Sequence, residues 1–197
     1  GIREFYKIGV SKTNPNVVSG GSQDNGTSVM RGANRAWVDW LGADGMETFV
    51  SWNNANNLYG TSQNGSMYRS TNQGTTRSSI SKPPDVEDGA WVTPFEQDPQ
   101  ISNTIYVAFA DVWKTSNNGS DWTKISEFDN GNMNQMKLAP STNKRIYVSR
   151  GSNLFTTANG GTTWTTITSG WGTNSISYIA VHPLDPLRLL IVTASGV

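Results

Sequence analysis

The stretch TTANGGTTWTTI, Thr156 to Ile167, sets small hydroxyl residues, an asparagine and two glycines ahead of a large indole. Each position has a physical job. An Asn side chain accepts hydrogen bonds from the backbone N–H groups that follow it, and a Ser or Thr hydroxyl does the same more weakly. Gly supplies the positive φ that a sharp turn demands. Trp164 then returns the chain to an apolar interior. The order recurs without a gap in Thr115-Ser116-Asn117-Asn118-Gly119-Ser120-Asp121-Trp122, 42 residues before the copy that starts at Thr157. A third copy, Ser70-Thr71-Asn72-Gln73-Gly74-Thr75-Thr76-Arg77, lies 45 residues earlier still, with Arg77 in the Trp place. Spacing of about 40–50 residues is the mark of propellers and solenoids.

The flanks of the turn repeat as well. A Pro- or Asn-rich corner precedes a β-branched or aromatic run five times: Asn14 to Val18, Asn54 to Tyr59, Asp98-Pro99 to Val107, Ala139-Pro140 to Val148, and His182-Pro183 to Val192. Before each corner lies another short run, Tyr6 to Val10, Thr48 to Trp52, Trp91 to Phe95, Met136 to Ala139 and Tyr178 to Val181. These read as strands one and two of a unit whose third strand follows a tight hairpin and whose fourth follows the hydroxyl-Asn-Gly turn. Four antiparallel strands per repeat make the blade of a β-propeller. The sequence therefore predicts an all-β chain. Four four-stranded antiparallel blades span about 4–40, 45–80, 90–125 and 133–167, with a partial fifth over 175–197. The two-strand fifth unit points to part of a larger propeller; a compact four-bladed ring with the last strands packed elsewhere is the alternative.

Composition agrees with many short strands. Charged residues make up 15% against about 25% in average proteins, while eight Trp supply apolar surface and the formal net charge is zero. Balanced charge without a Lys/Arg cluster argues against nucleic acid as a partner. No apolar run approaches the length of a membrane span, so membrane insertion is not expected. The absence of cysteine removes disulfides and thiol chemistry. No metal-ligand spacing or phosphate-binding loop stands out, and no cofactor is expected. His182, the single His, sits at a repeated corner and reads as structural.

The turn resembles the Asp-box, or BNR repeat, with Asn in the Asp place. The whole blade resembles those of sortilin-type propellers and of xyloglucanase-type glycoside hydrolases. The likeness extends over nearly the whole chain and includes Gln23-Asp24-Asn25-Gly26 and Gly42-Ala43-Asp44-Gly45, which look like segments common in secreted bacterial members. It implies an extracellular or cell-surface protein with a glycan or peptide ligand. It also implies either the remaining blades of a longer chain or self-association through open strand edges. A sialidase, the other enzyme with this repeat, would need an arginine triad, and the arginines here are scattered.

In such a blade the repeated turn opens on one face, and the hairpin between strands two and three opens on the other with the inter-blade link. Function is expected on the second face, where loops ride on a rigid scaffold. Its hairpins offer Gln23, Asp24, Asn25, Gln63, Asn64, Asp111 and Arg150. Its links add Asp44, Asp85, Glu87, Asp88, Asp129, Asn130, Asn132 and Trp171. Paired carboxylates are what glycoside hydrolysis needs, one to protonate the leaving oxygen and one as base or nucleophile, roughly 5–9.5 Å apart. Asp24 and Asp44, from adjacent loops, are the candidate catalytic pair. Asp24-Asn25-Gly26 also matches the short Asp-x-Gly pattern that the resemblance implies for a catalytic hairpin. Asp-Asn-Gly is equally a good turn sequence. Gln23, Asn25, Asn64, Asp111, Arg150 and Trp171 are the candidate ligand-binding residues. The rival readings are a sortilin-like module that binds a peptide or protein, and a structural spacer of a large surface protein.

Overall fold

The computed structural model describes residues 3–128, 131–168 and 170–193. Strands β1 (Phe5–Val10), β2 (Val18–Ser22), β3 (Gly26–Arg31) and β4 (Ala36–Leu41) form the first sheet. The second holds β5 (Gly45–Val50), β6 (Leu58–Ser62), β7 (Ser66–Ser70) and β8 (Ser78–Ile80). The third holds β9 (Phe95–Gln97), β10 (Ile105–Ala108), β11 (Val112–Thr115) and β12 (Thr123–Lys124). The fourth holds β13 (Gln135–Leu138), β14 (Ile146–Arg150), β15 (Asn153–Thr157) and β16 (Thr165–Ile167), and a fifth pairs β17 (Ile176–Val181) with β18 (Leu189–Thr193). Every sheet is antiparallel in chain order. The first strands β1, β5, β9, β13 and β17 touch in succession and so line a common axis. This is the propeller architecture that the repeat predicted, four blades and half of a fifth.

The three turns are superimposable in their hydrogen bonds. Thr157 Oγ1 accepts the N–H groups of Asn159 and Gly161, and Asn159 Oδ1 accepts that of Thr163. Thr115 with Asn117, and Ser70 with Asn72, make the same set. The two residues before the fourth strand's approach take positive φ in each copy, Gln73 and Gly74, Asn118 and Gly119, Gly160 and Gly161. After the turn, Trp164 Nε1 donates to the Ile125 carbonyl of the preceding blade at 2.7 Å, and Trp122 Nε1 to Ser81 at 2.9 Å. Arg77 keeps this tie without an indole, donating to the Trp40 carbonyl at 3.1 Å.

Corners are capped by side chains in the same economical way. The buried Asp98 accepts the N–H groups of Gln100 and Ile101 and the Tyr106 hydroxyl. Burial first, and then Asp98, pushes the Tyr106 phenol well above its ordinary value. His182 Nδ1 accepts the N–H groups of Leu184 and Asp185, so the lone His is a corner cap.

Core side chains sit between blades. Tyr59 packs with Phe95, Tyr106 with Met136, and Tyr147 with Ile179, each Tyr on a second strand meeting the first strand of the next blade. Blades one and two approach so closely that a Cβ on Gly21 would collide with the Met46 carbonyl. The two flanks of the arc lack such partners. Ile8 and Val10 on β1 are 59% and 63% exposed, whereas Met136 and Leu138 at the corresponding places of β13 are 2% and 6% exposed. On β18, Leu190 occupies the place of those tyrosines and is 52% exposed. Near the axis Lys7 still lies 5.6 Å from the Tyr178 ring, so the flanks are closest at their inner strands.

Candidate functional site

The hairpin and link face is laced by hydrogen bonds between blades. Asp24 opens the β2–β3 hairpin with φ 58°, a left-handed conformation that a non-Gly residue adopts at some cost. Its N–H donates to Asp44 Oδ1 at 2.6 Å, and the Asp44 N–H donates in turn to Gln63 Oε1 at 3.3 Å. The structure thus brings Asp24 and Asp44 together, but through the backbone of one and the carboxylate of the other. Asp44 is a strap on the hairpin. The Asp24 side chain is exposed and accepts no hydrogen bond from the described residues. It lines an open groove of about 490 Å3 with Asn25, Asp39, Trp40, Ala43 and Arg77.

Asp39 is a second carboxylate in that groove, and the sequence reading missed it because it stands inside strand β4. Arg3 donates to it at 2.8 and 3.3 Å and the Ser28 hydroxyl at 2.6 Å. These hydrogen bonds, Arg3 first and Ser28 second, hold its pKa below the ordinary carboxylate value. Asp39 is therefore an ionised group at neutral pH. A general acid needs the opposite environment, apolar burial or an adjacent like charge.

The other candidates divide into scaffold and rim. Gln23 Oε1 accepts the Tyr6 hydroxyl at 2.8 Å, and Asn25 Nδ2 donates back to the Gln23 carbonyl. Asn64, at φ 60°, ties its backbone to the next link: its N–H donates to Trp91 and its carbonyl accepts Gly89 N–H and Lys82 Nζ. Asp111 accepts the Ser126 hydroxyl and the Phe128 N–H, both at 2.7 Å, and so braces its own blade. Arg150 donates to the Gly131 carbonyl and lies 5.7 Å from the Phe155 ring. Trp171 is half-buried against the Tyr147 and Ile179 cluster, its Nε1 donating to Ser152 at 2.7 Å. Asp129 and Asn130 lie outside the described residues.

The exposed indole of this face belongs instead to Trp91. Sequence reading set Trp91 at the start of a strand, but β9 begins only at Phe95 and Trp91 sits in the link before it. Its Nε1 reaches across to the Tyr6 hydroxyl of the first blade at 3.3 Å. A link residue with large exposed apolar surface has no periodicity to betray it. On the opposite face a cavity of about 640 Å3 lies beside the first repeated turn, where Arg31 is already bonded to Gln73 and Thr75. Among the described residues no group of three or more acidic or His side chains could hold a metal ion.

No family model and no curated protein matches the sequence. Solved structures do. The GH74 enzyme of Niastella koreensis matches with TM-score 0.76 and 19% identity over 100% of this chain and 34% of its own. The GH74 xyloglucanase of Xanthomonas campestris matches with TM-score 0.75 and 16% identity over 98% of this chain and 35% of its own. A structure of YCF48 bound to D1 peptide matches with TM-score 0.69 and 15% identity over 98% of this chain and 63% of its own. The chain spans about a third of those GH74 chains, and likeness at this identity establishes the fold: an all-β propeller of the kind that GH74 enzymes and YCF48 share.

Proposed function

We propose that the chain is part of an Asp-box propeller of an extracellular or cell-surface protein that engages glycan on its hairpin and link face. The observation that carries this reading is the state of Asp24. Its backbone is pinned by Asp44 while its carboxylate is left exposed in the groove. A side chain held by its backbone and unspent in hydrogen bonding is pre-organised for a ligand. The GH74 neighbours make a glycan the first ligand class to test. Asp24 is the working carboxylate of this proposal and Asp44 its positioning residue. Asp39, held ionised, suits a binding or stabilising role rather than proton donation. On its own the chain binds; hydrolysis requires a protonated carboxyl from outside the groove described above.

A peptide ligand is the second reading, favoured by the neighbour solved with a bound peptide. Screening the purified chain against glycan and peptide panels, with new reducing ends measured beside binding, separates the two. Glycan bound by wild type and weakened in Asp24→Asn supports the reading. Peptide binding alone overturns it.

A further inference from the structure

Apart from the Asp24 groove, the same face has another depression where the links enter the first strands of blades three, four and five. It has a volume of about 400 Å3, and Trp91, Val92, Asn134, Gln135, Ser175 and Ile176 are in its wall. None of its lining residues is charged. Its size lies at the low end of small-molecule sites, which run to about 300–1,000 Å3. We propose that it is a subsite for an uncharged sugar ring, seated on the Trp91 indole. This rests on the glycan reading above but on a different set of residues.

Three features converge. Trp91 is 48% exposed, whereas the two indoles that end repeated turns, Trp122 and Trp164, pack into interblade clusters. It is also held: its Nε1 bonds the Tyr6 hydroxyl, which bonds Gln23, and its carbonyl accepts the Asn64 N–H at 3.4 Å. An anchored aromatic offers contact area at little entropic cost on binding. The rim supplies the polar half. Asn134 Oδ1 is spent on the Gly151 N–H at 2.9 Å, which fixes the amide and leaves its NH2 without a partner among the described residues. The Gln135 amide and the Ser175 hydroxyl make no side-chain hydrogen bond at all among those residues.

The ligand class follows from that lining. An apolar ring face beside neutral donors and acceptors fits a molecule with one apolar face and a rim of hydroxyls, and a pyranose has that form. An anion or cation would enter without a counter-charge, because the nearby axial charges are paired with each other, Lys7 with Glu47 and Lys137 with Glu96.

The experiment is a titration of the 197-residue chain with neutral gluco-, xylo- and manno-oligosaccharides and with uronic acid oligomers, followed by calorimetry and by tryptophan fluorescence. Neutral oligosaccharide is expected to bind and to alter the fluorescence. Trp91→Ala should weaken it at least tenfold, Trp91→Phe less, and uronic acid oligomers should bind at least tenfold more weakly than neutral ones. Gln135→Ala and Ser175→Ala, on half-exposed and exposed positions whose side chains make no hydrogen bond among the described residues, should weaken binding severalfold with little change in melting temperature. If neutral sugar binds Trp91→Ala and Gln135→Ala as tightly as wild type, the subsite is wrong while the glycan reading stands. If no saccharide binds wild type, both fall. Tighter binding of the charged oligomers, or of peptide in competition at Trp91, overturns the uncharged-sugar assignment.

Discussion

Asp44 Oδ1 accepts the backbone N–H of Asp24 at 2.6 Å, so one candidate carboxylate orients the hairpin that presents the other. The two residues are unequal partners, and substitution separates their roles. Asp24→Gly removes the carboxylate and relieves the left-handed backbone, so it should stabilise the fold by about 0.5–1 kcal/mol while weakening ligand binding. Asp44→Ala should do the reverse to stability, costing about 1–2 kcal/mol through the lost charged hydrogen bond, and should also weaken binding by loosening the hairpin. Denaturant melts and ligand titrations on the two variants check both signs.

The repeated turn and its positional logic were legible in the sequence because the Asn, Gly and Trp positions serve only one geometry. Thr115, Thr157 and Ser70 occupy equivalent turns with the same bonds. Other features were not legible. Arg77 keeps the carbonyl tie of an indole through a different donor group, which no pattern of residue types announces. Trp91 left its expected strand because the long link of residues 81 to 94 is bonded to the Asn64 hairpin rather than to a ladder. Asp44 and Asp24 were rightly singled out as neighbours, but a hydrogen bond from backbone to side chain cannot be read from composition. Asp39 was missed because it stands inside strand β4, and its hydrogen-bond partner Arg3 is 36 residues away.

At the turn itself, Thr157→Val keeps the shape of the side chain but leaves the Asn159 and Gly161 N–H groups without their acceptor. A cost of about 1–2 kcal/mol is expected, because these donors are only partly buried. Trp164→Ala should cost about 3 kcal/mol, the low end for a large aromatic, because the ring is only half-buried. Chemical denaturation with fluorescence detection measures each. A change below about 0.5 kcal/mol in either would contradict the structural role.

Acid should release the strap at the start of the chain. The Arg3 and Ser28 hydrogen bonds lower the pKa of Asp39 in the folded state. A depressed carboxyl contributes stability that is fully present above its unfolded value, about 3.9, and lost as pH falls through the folded value. The side chains are 32% and 59% exposed, so screening keeps the contribution well under about 1 kcal/mol. Stability of wild type and Asp39→Asn compared between pH 7 and pH 2 should converge at the acid end. A gap that widens toward acid would reverse the assignment.

The flanks carry two halves of a blade interface, Leu190 at one end and Ile8 and Val10 at the other. Exposed apolar faces of this kind recruit partners. The 197-residue chain is expected to self-associate head to tail, with Ile8→Arg and Leu190→Arg each abolishing assembly. Mixing the two variants should restore a one-to-one dimer, because each retains the face the other lacks. Sedimentation of the single proteins and of the mixture is decisive: a monomeric wild type, or a mixture that stays monomeric, would exclude the complementary contact.

Engagement of glycan on the hairpin and link face is visible in amide chemical-shift mapping of the labelled chain during titration with oligosaccharide. Saturable shifts are expected at residues 23–26 and 43–44, diminished in Asp24→Asn, with the turns at 72–76, 117–121 and 159–163 unmoved. Saturable shifts confined to those turns, or no shift with any glycan while a peptide moves the hairpins, would contradict it.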